Sequence, residues 1–264
     1  MKIAIIGAGS IGRRHARNAV ALGCDVVAYD TQPLPLFGMP AGATATVTWP
    51  DDADAYVIAT PASDHAASLA RVGTRPALVE KPLFGASPPA CFVFDHPLVM
   101  VGYNLRFHPH VGRAAVGPYA TAQFWCHVDV STWPGSSYGD TLSECSHEID
   151  LALWMLGPGQ VTDATYDGAT WEIRLRHDSG STSSISLGNH PQTHHRGGCL
   201  TGGAHRHWWT IPPTVDQTYV EEMACLLRSI RSGRILAPAC TLADGLRVLA
   251  VIAEARRSAQ QDHG

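Results

Sequence analysis

The sequence predicts two parts of different class: an α/β first part built on a parallel sheet, and an α+β second part with a mainly antiparallel, open sheet. Three observations carry this. An isoleucine-rich run, Lys2–Ile6, breaks into a glycine turn and then a helical pattern. Strand-like and helix-like runs then alternate as far as about residue 108. Beyond it, the apolar residues alternate as in strands with one exposed face. The boundary is therefore drawn to give parts 1–108 and 109–264.

In the first part, Lys2–Ile6 suits a strand buried on both faces. Residues 12–22 read as a helix ended near Gly23, and Asp25–Tyr29 as a second strand stopping at Asp30. A third strand spans 55–59, a short helix His65–Val72, and further strands 76–79 and 98–103. In the second part, strands are expected at 120–130, 170–176 and 181–187. Residues 141–156 have helical spacing, stopped by Gly157-Pro158-Gly159. Two more helices follow, 219–232 and 242–258, the second opened by a capping-box spacing. The His- and Gly-rich segment 190–207 is read as a long, mobile loop.

Bulk properties narrow the function classes. The chain has 264 residues, 45% of them hydrophobic and 16% charged, an ordinary globular balance. A net charge of -4 leaves no basic footprint for nucleic acid. No apolar run approaches the roughly 20 residues that span a bilayer. The first apolar run breaks at once into glycine, unlike a secretory signal, so a cytoplasmic location is expected. The seven cysteines are scattered without a C-x-x-C pair and read as buried apolar residues or free thiols.

The chemistry starts at Gly7-Ala8-Gly9-Ser10-Ile11-Gly12. The G-x-G-x-x-G spacing is weak by itself, but here it leaves a predicted strand and opens a predicted helix. There, backbone N–H groups and the helix N-terminus can meet a pyrophosphate. This makes the first part a Rossmann dinucleotide-binding domain, with Gly7, Gly9, Ser10, Ile11 and Gly12 lining the turn. Asp30 follows by about 20 residues at the end of the second strand, where a carboxylate accepts from ribose hydroxyls and repels a 2′-phosphate. Neither Thr31 nor Gln32 offsets its charge, so NAD is favoured over NADP.

Further stretches share one order and spacing. They are Ile58-Ala59-Thr60-Pro61 with His65, Val79-Glu80-Lys81-Pro82-Leu83, Tyr103-Asn104-Leu105-Arg106-Phe107-His108-Pro109, and Glu144-Cys145-Ser146-His147-Glu148-Ile149-Asp150. With the glycine turn, these resemble the Gfo/Idh/MocA oxidoreductases, and in particular the branch acting on sugars and nucleotide sugars. Trp133-Pro134-Gly135, Tyr138 and the tail 219–258 also look like that branch. The resemblance implies Lys81 as the catalytic lysine, and Thr60, Pro61, His65, Glu80, Lys81 and Asn104 around the cofactor. It places Tyr103 and Asn104 close to cofactor and substrate. The chain is short for that family, with losses between residues 30 and 55 and between 81 and 98. It also carries Ser143 where many members have Asp, with Glu144 one place on.

Hydride transfer at a carbinol needs a proton acceptor and a donor for the developing alkoxide. Lys81, at a strand end, can hydrogen-bond the reacting oxygen. His147 is the candidate proton shuttle. Glu144 and Asp150, three residues to either side, share its helical face and orient it or touch substrate hydroxyls. Arg106 suits a substrate carboxylate or phosphate, or equally an interdomain salt bridge. Trp133 and Tyr138 can stack on a sugar or lie in the core.

The histidines 190, 194, 195, 205 and 207 match no standard zinc spacing, so no metal is expected. Glu144 and Asp150 also allow a glycosidase reading, but the first domain favours hydride chemistry. The expected function is an NAD(P)-dependent oxidoreductase acting on a sugar, sugar acid or nucleotide sugar. The alternatives are a redox-assisted epimerase or eliminase, and a catalytically silent NAD-binding regulator. An apolar face left open on the second sheet would need covering, which predicts a homodimer or homotetramer.

Overall fold

A computed structural model describes residues 1–32, 39–85, 98–114, 117–129, 140–213 and 216–261. Trp133, Tyr138 and most of the shortened 81–98 connection lie outside the described residues. The chain divides into two compact units: Met1–Phe107 with Asp216–Leu242, and His108–Val215 with Ala243–Gly264. The first unit therefore extends beyond the segment 1–108 and includes a returning piece of chain.

The first unit is α/β. Its elements are β1 (Lys2–Ile6), α1 (Ser10–Ala21), β2 (Asp25–Tyr29), β3 (Ala43–Thr46), β4 (Ala55–Ile58), α2 (His65–Val72), β5 (Ala77–Glu80) and β6 (Val99–Gly102). A 3-10 turn, Asn104–Phe107, follows β6. In sheet order the strands run β3-β2-β1-β4-β5-β6, all parallel. This is the doubly wound order of a dinucleotide-binding fold, reversing direction between β1 and β4. Every residue of β4, β5 and β6 is buried, as expected of strands covered on both faces.

Two elements of this unit come from late in the sequence. They are the helix Asp216–Ser232 and the short strand Cys240–Thr241, which pairs antiparallel with β6. The helix seats Met223, Cys225, Leu226 and Leu227 in the core formed by Ile3, Ile5, Val57, Leu78 and Met100. Burying aliphatic side chains of this size contributes about 1.5–3 kcal/mol each, so the returning segment is a substantial part of the unit's stability.

The second unit is α+β. Its elements are α3 (Pro109–Ala114), β7 (Thr121–Val128), α4 (Thr141–Glu144), α5 (His147–Leu156), β8 (Gly159–Tyr166), β9 (Thr170–His177), β10 (Thr182–Asn189), β11 (His194–Gly202) and β12 (His205–Thr210). In chain order the returning helix is then α6 and the returning strand β13, and α7 (Leu242–Gln261) completes the chain. The sheet order is β12-β11-β7-β10-β9-β8, antiparallel except for the β7–β10 pair.

Three expectations are corrected. The segment 190–207, read as a mobile loop, forms β11 and the start of β12, with His195 opposite His127 on β7. Its histidines and glycines mask a strand pattern. Gly197 and Gly198 are needed because a Cβ there would meet Trp209 at 2.3 Å, through its carbonyl and its ring respectively.

The helix over 141–156 is two helices, broken at Cys145 and Ser146, where the N–H groups of Ser146 and Glu148 reach back only three residues. The open face of the second sheet is also not broadly apolar. Alternation places Thr121, Gln123, Trp125 and His127 on it from β7, and Thr170, Glu172, Arg174 and Arg176 from β9. Trp208 on β12 stands 62% exposed.

Candidate functional site

The glycine turn lies between β1 and α1, at the reversal point of the sheet. Gly7 adopts φ +93°, a left-handed conformation that a side chain strains. A Cβ on Gly7 would lie 2.7 Å from the Ala59 carbonyl oxygen, so the turn abuts the chain leaving β4. A Cβ on Gly12 would lie 1.9 Å from the Gly7 carbonyl oxygen, which is the close helix–strand approach the motif requires. Gly9 has no atom within 4 Å of its Cβ direction, leaving open approach to the backbone. Among the described residues no side chain caps α1, which leaves its first-turn N–H groups available to an anion. These observations fit a bound pyrophosphate.

Asp30 stands beside this turn. Its Oδ2 accepts from the Ala8 N–H at 3.0 Å and its Oδ1 from the Gln32 N–H at 3.2 Å. A carboxylate has about four acceptor positions, so capacity remains for ribose hydroxyls. The bond to Ala8 ties the end of β2 to the glycine turn.

His65 opens α2 and is 1% exposed. Its Nε2 faces the Thr60 carbonyl at 2.9 Å, and its Nδ1 faces the Pro82 and Leu83 carbonyls, both at 3.1 Å. The ring therefore sits between the chain after β4 and the chain after β5 and, when neutral, donates to one of them. Burial holds its pKa below the usual imidazole value, although the facing carbonyls and Glu80 oppose that.

Glu80 ends β5 and Lys81 follows it at the C-terminal edge, the edge where open parallel sheets bind ligands. The Lys81–Pro82 peptide is cis. The Glu80 carboxylate is 7% exposed and is engaged at both oxygens. His15 Nε2 on α1 donates to Oε1 at 2.7 Å, and the Lys81 N–H donates to Oε2 at 3.2 Å. Gly102 on β6 leaves room for this group, since a Cβ there would come within 3.0 Å of Glu80 Oε2. His15 is fully buried, yet its place within the motif-bearing helix reads in sequence as one polar residue on an amphipathic face.

The segment after β6 is also buried. Tyr103 and Asn104 are each 1% exposed and Arg106 3%. Asn104 Nδ2 donates to Thr218 Oγ1 on α6 at 2.6 Å. Arg106 Nη1 lies 3.4 Å from the carbonyls of both Pro238 and Ala239. These side chains secure the returning segment to the sheet edge. Sequence reading missed α6 as part of this region; it also presents Tyr219, whose ring Arg14 covers at 4.8 Å, and the fully buried Glu222.

His15, Glu80 and Glu222 place candidate ligand atoms within 4.8 Å of one another. The 2.7 Å His15–Glu80 separation is a hydrogen bond; two ligands on tetrahedral zinc stand about 3.3 Å apart.

In the second unit, Glu144 ends α4 and His147 begins α5, so the two do not share one continuous helical face. His147 and Asp150 do share a face of α5, and are 6% and 1% exposed. Glu148 between them was not singled out by the sequence. It is 1% exposed and takes a bidentate pair from Arg196, Nε to Oε1 at 2.7 Å and Nη2 to Oε2 at 3.0 Å. That pair anchors α5 to β11. Cys126 on β7 is buried, and hydrogen bonding with Cys145 and burial push its thiol well up, so it is an inert residue of this core.

No protein-family model matches the sequence, and no curated protein matches it. Solved structures resemble the fold closely. A levoglucosan dehydrogenase in complex with NADH superposes with TM-score 0.82 at 17% identity, covering 99% of this chain and 97% of that one. A scyllo-inositol dehydrogenase from Lactobacillus casei gives TM-score 0.80 at 15% identity, covering 99% and 96%. A UDP-N-acetylglucosamine 3-dehydrogenase from Acidithiobacillus ferrooxidans gives 0.78 at 19% identity, covering 99% and 98%. At these identities the likeness is one of fold, and it spans both units of the chain.

Proposed function

We propose that the chain is an NAD-dependent oxidoreductase that moves hydride between nicotinamide and a carbinol or carbonyl carbon of a sugar, sugar acid or nucleotide sugar. The observation that carries this reading is the placement of Gly7, Gly9, Gly12, Asp30 and Lys81 along the C-terminal edge of one doubly wound sheet. Solved proteins of the same fold bear dehydrogenase names, one of them in complex with NADH, and their named compounds are sugar-like.

The nicotinamide ring supplies or accepts the hydride when the dinucleotide is bound. The glycine turn and the first turn of α1 hold the pyrophosphate, and Asp30 takes the ribose hydroxyls and disfavours a 2′-phosphate. Thr60 and Pro61 form the rim beyond β4. Lys81 donates to the reacting oxygen and stabilises its negative charge. His147 takes or returns the hydroxyl proton, with Asp150 beside it on α5. Glu144, on the separate α4, contacts substrate hydroxyls. Tyr103, Asn104 and Arg106 secure the substrate side of the first unit. With the open face of the second sheet mostly polar, the homo-oligomer reading keeps only the exposed Trp208 as support, and any such contact would pass through that residue.

The test is a fluorescence titration with NADH and NADPH, followed by absorbance assays on levoglucosan, scyllo-inositol, UDP-N-acetylglucosamine and related compounds. NADH binding with turnover of one compound class supports the reading. Lys81→Ala and His147→Ala are expected to abolish turnover and leave NADH binding largely intact; retained turnover overturns their roles. Binding of NADH with no turnover across the panel favours a silent NAD-binding regulator. A strictly monomeric sedimentation profile at micromolar protein removes the oligomer.

A further inference from the structure

We infer that His15 is a positioning residue: acting through Glu80, it fixes the backbone that presents Lys81. This rests on the reading of Lys81 as the catalytic lysine. The link is continuous. His15 Nε2 holds Glu80 Oε1 at 2.7 Å, and Glu80 Oε2 holds the Lys81 N–H at 3.2 Å. The carboxylate thus bridges α1 to the first residue beyond β5.

Burial argues that this bridge is more than packing. His15 is fully buried, and its Nδ1 has no hydrogen-bond partner among the described residues. A buried imidazole with one nitrogen unserved costs stability that an apolar residue would not. What the imidazole provides in return is the bond to Glu80.

The neighbours hold the ring from the other side. Tyr219 on α6 meets it edge-on at 5.7 Å, Arg14 lies over Tyr219, and Arg14 Nε pairs with Asp216 at 3.1 Å. Glu222 on α6 completes the surrounding charge. Burial, with Glu80 and Glu222 nearby, pushes the Tyr219 hydroxyl up, so it stays a neutral wall. The same helix that offers its N-terminus to the dinucleotide therefore carries, one turn later, the group that sets the lysine.

The sequence makes the test clean, because it contains only two lysines, Lys2 and Lys81. Reductive methylation with 13C-formaldehyde puts a separate NMR resonance on each, and Lys2, half-buried and paired with Asp52, is the internal reference. In His15→Leu, which keeps the volume and removes the donor, the Lys81 resonance is expected to move while that of Lys2 stays. His15→Gln, which returns an N–H near the Nε2 position, restores the wild-type signal. Glu80→Met removes both acceptor oxygens and breaks the bridge from its other end, and the His15→Leu/Glu80→Met pair moves Lys81 no further than either single change.

With a turned-over substrate, kcat of His15→Leu falls about tenfold to a hundredfold, as for small misplacements of a reacting group, and NADH affinity is retained. An unmoved Lys81 resonance in folded His15→Leu or Glu80→Met protein overturns the inference, as does a shift in His15→Gln equal to that in His15→Leu. Turnover surviving Lys81→Ala instead removes the catalytic reading, and the resonance still reports whether His15 sets Lys81.

Discussion

Asp30 is the residue whose removal reads most directly on cofactor choice. Asp30→Ala deletes the acceptor for ribose hydroxyls and the anchor of the Ala8 N–H. Hydrogen bonds to a charged group are worth about 1.5–3 kcal/mol, so NADH affinity is expected to fall roughly tenfold to a hundredfold. NADPH binding should fall less, because a repulsion goes with the carboxylate; parallel fluorescence titrations measure the ratio. Asp30 and the glycines drew attention through their fixed spacing after strand ends, and Lys81 through the family resemblance; their roles are for the experiments above to decide. His15 was not legible. It lies among polar residues on a helix, and only the fold shows that its partner is 65 positions away. Glu148 was hidden likewise, since its arginine is on β11, a strand that its own histidines and glycines disguised.

Among elements, α1 and α6 carry the sharpest consequences. Gly12→Ala forces a Cβ into the Gly7 carbonyl, so α1 must lift from β1. Overpacking of this kind costs about 1–3 kcal/mol, measurable as a shifted urea midpoint, and NADH binding should weaken with it. Thr218→Val leaves the buried Asn104 amide without its acceptor on α6. About 1–3 kcal/mol of stability is expected to go, by the same measurement. The strands of the first unit were readable because runs such as Lys2–Ile6 and Asp25–Tyr29 are apolar throughout and bounded by glycine or aspartate. The break between α4 and α5 was not, because the apolar spacing runs unbroken across Cys145 and Ser146. The strand β3 also escaped notice, its Ala-Thr-Ala-Thr sequence carrying little hydrophobic signal.

For the molecule as a whole, acid should be destabilising through its buried and half-buried histidines. Burial lowers the pKa of His65 in the first unit, and of His177, His127 and His108 in the second. The unfolded chain binds protons at these positions below about pH 6.5, before the folded chain does. The unfolded state then holds more protons, so stability falls as pH falls. The contribution is complete above the ordinary histidine value and is lost as pH drops through the folded values. Thermal melts should show a declining midpoint from pH 7 to pH 5. His65→Gln should flatten that decline; an unchanged slope removes His65 from the account.

The return of α6 to the first unit also has a consequence during synthesis. Ribosomes add about 5–20 residues per second. After Phe107 emerges, roughly 5–20 s must pass before Asp216 appears at the same rate. Throughout that interval the apolar surface destined for Met223, Leu226 and Leu227 has nothing to cover it. The nascent chain therefore presents a sticky, half-built sheet to the cell for the whole time its second unit is being made. A gene fragment ending near residue 108 would make that transient state permanent.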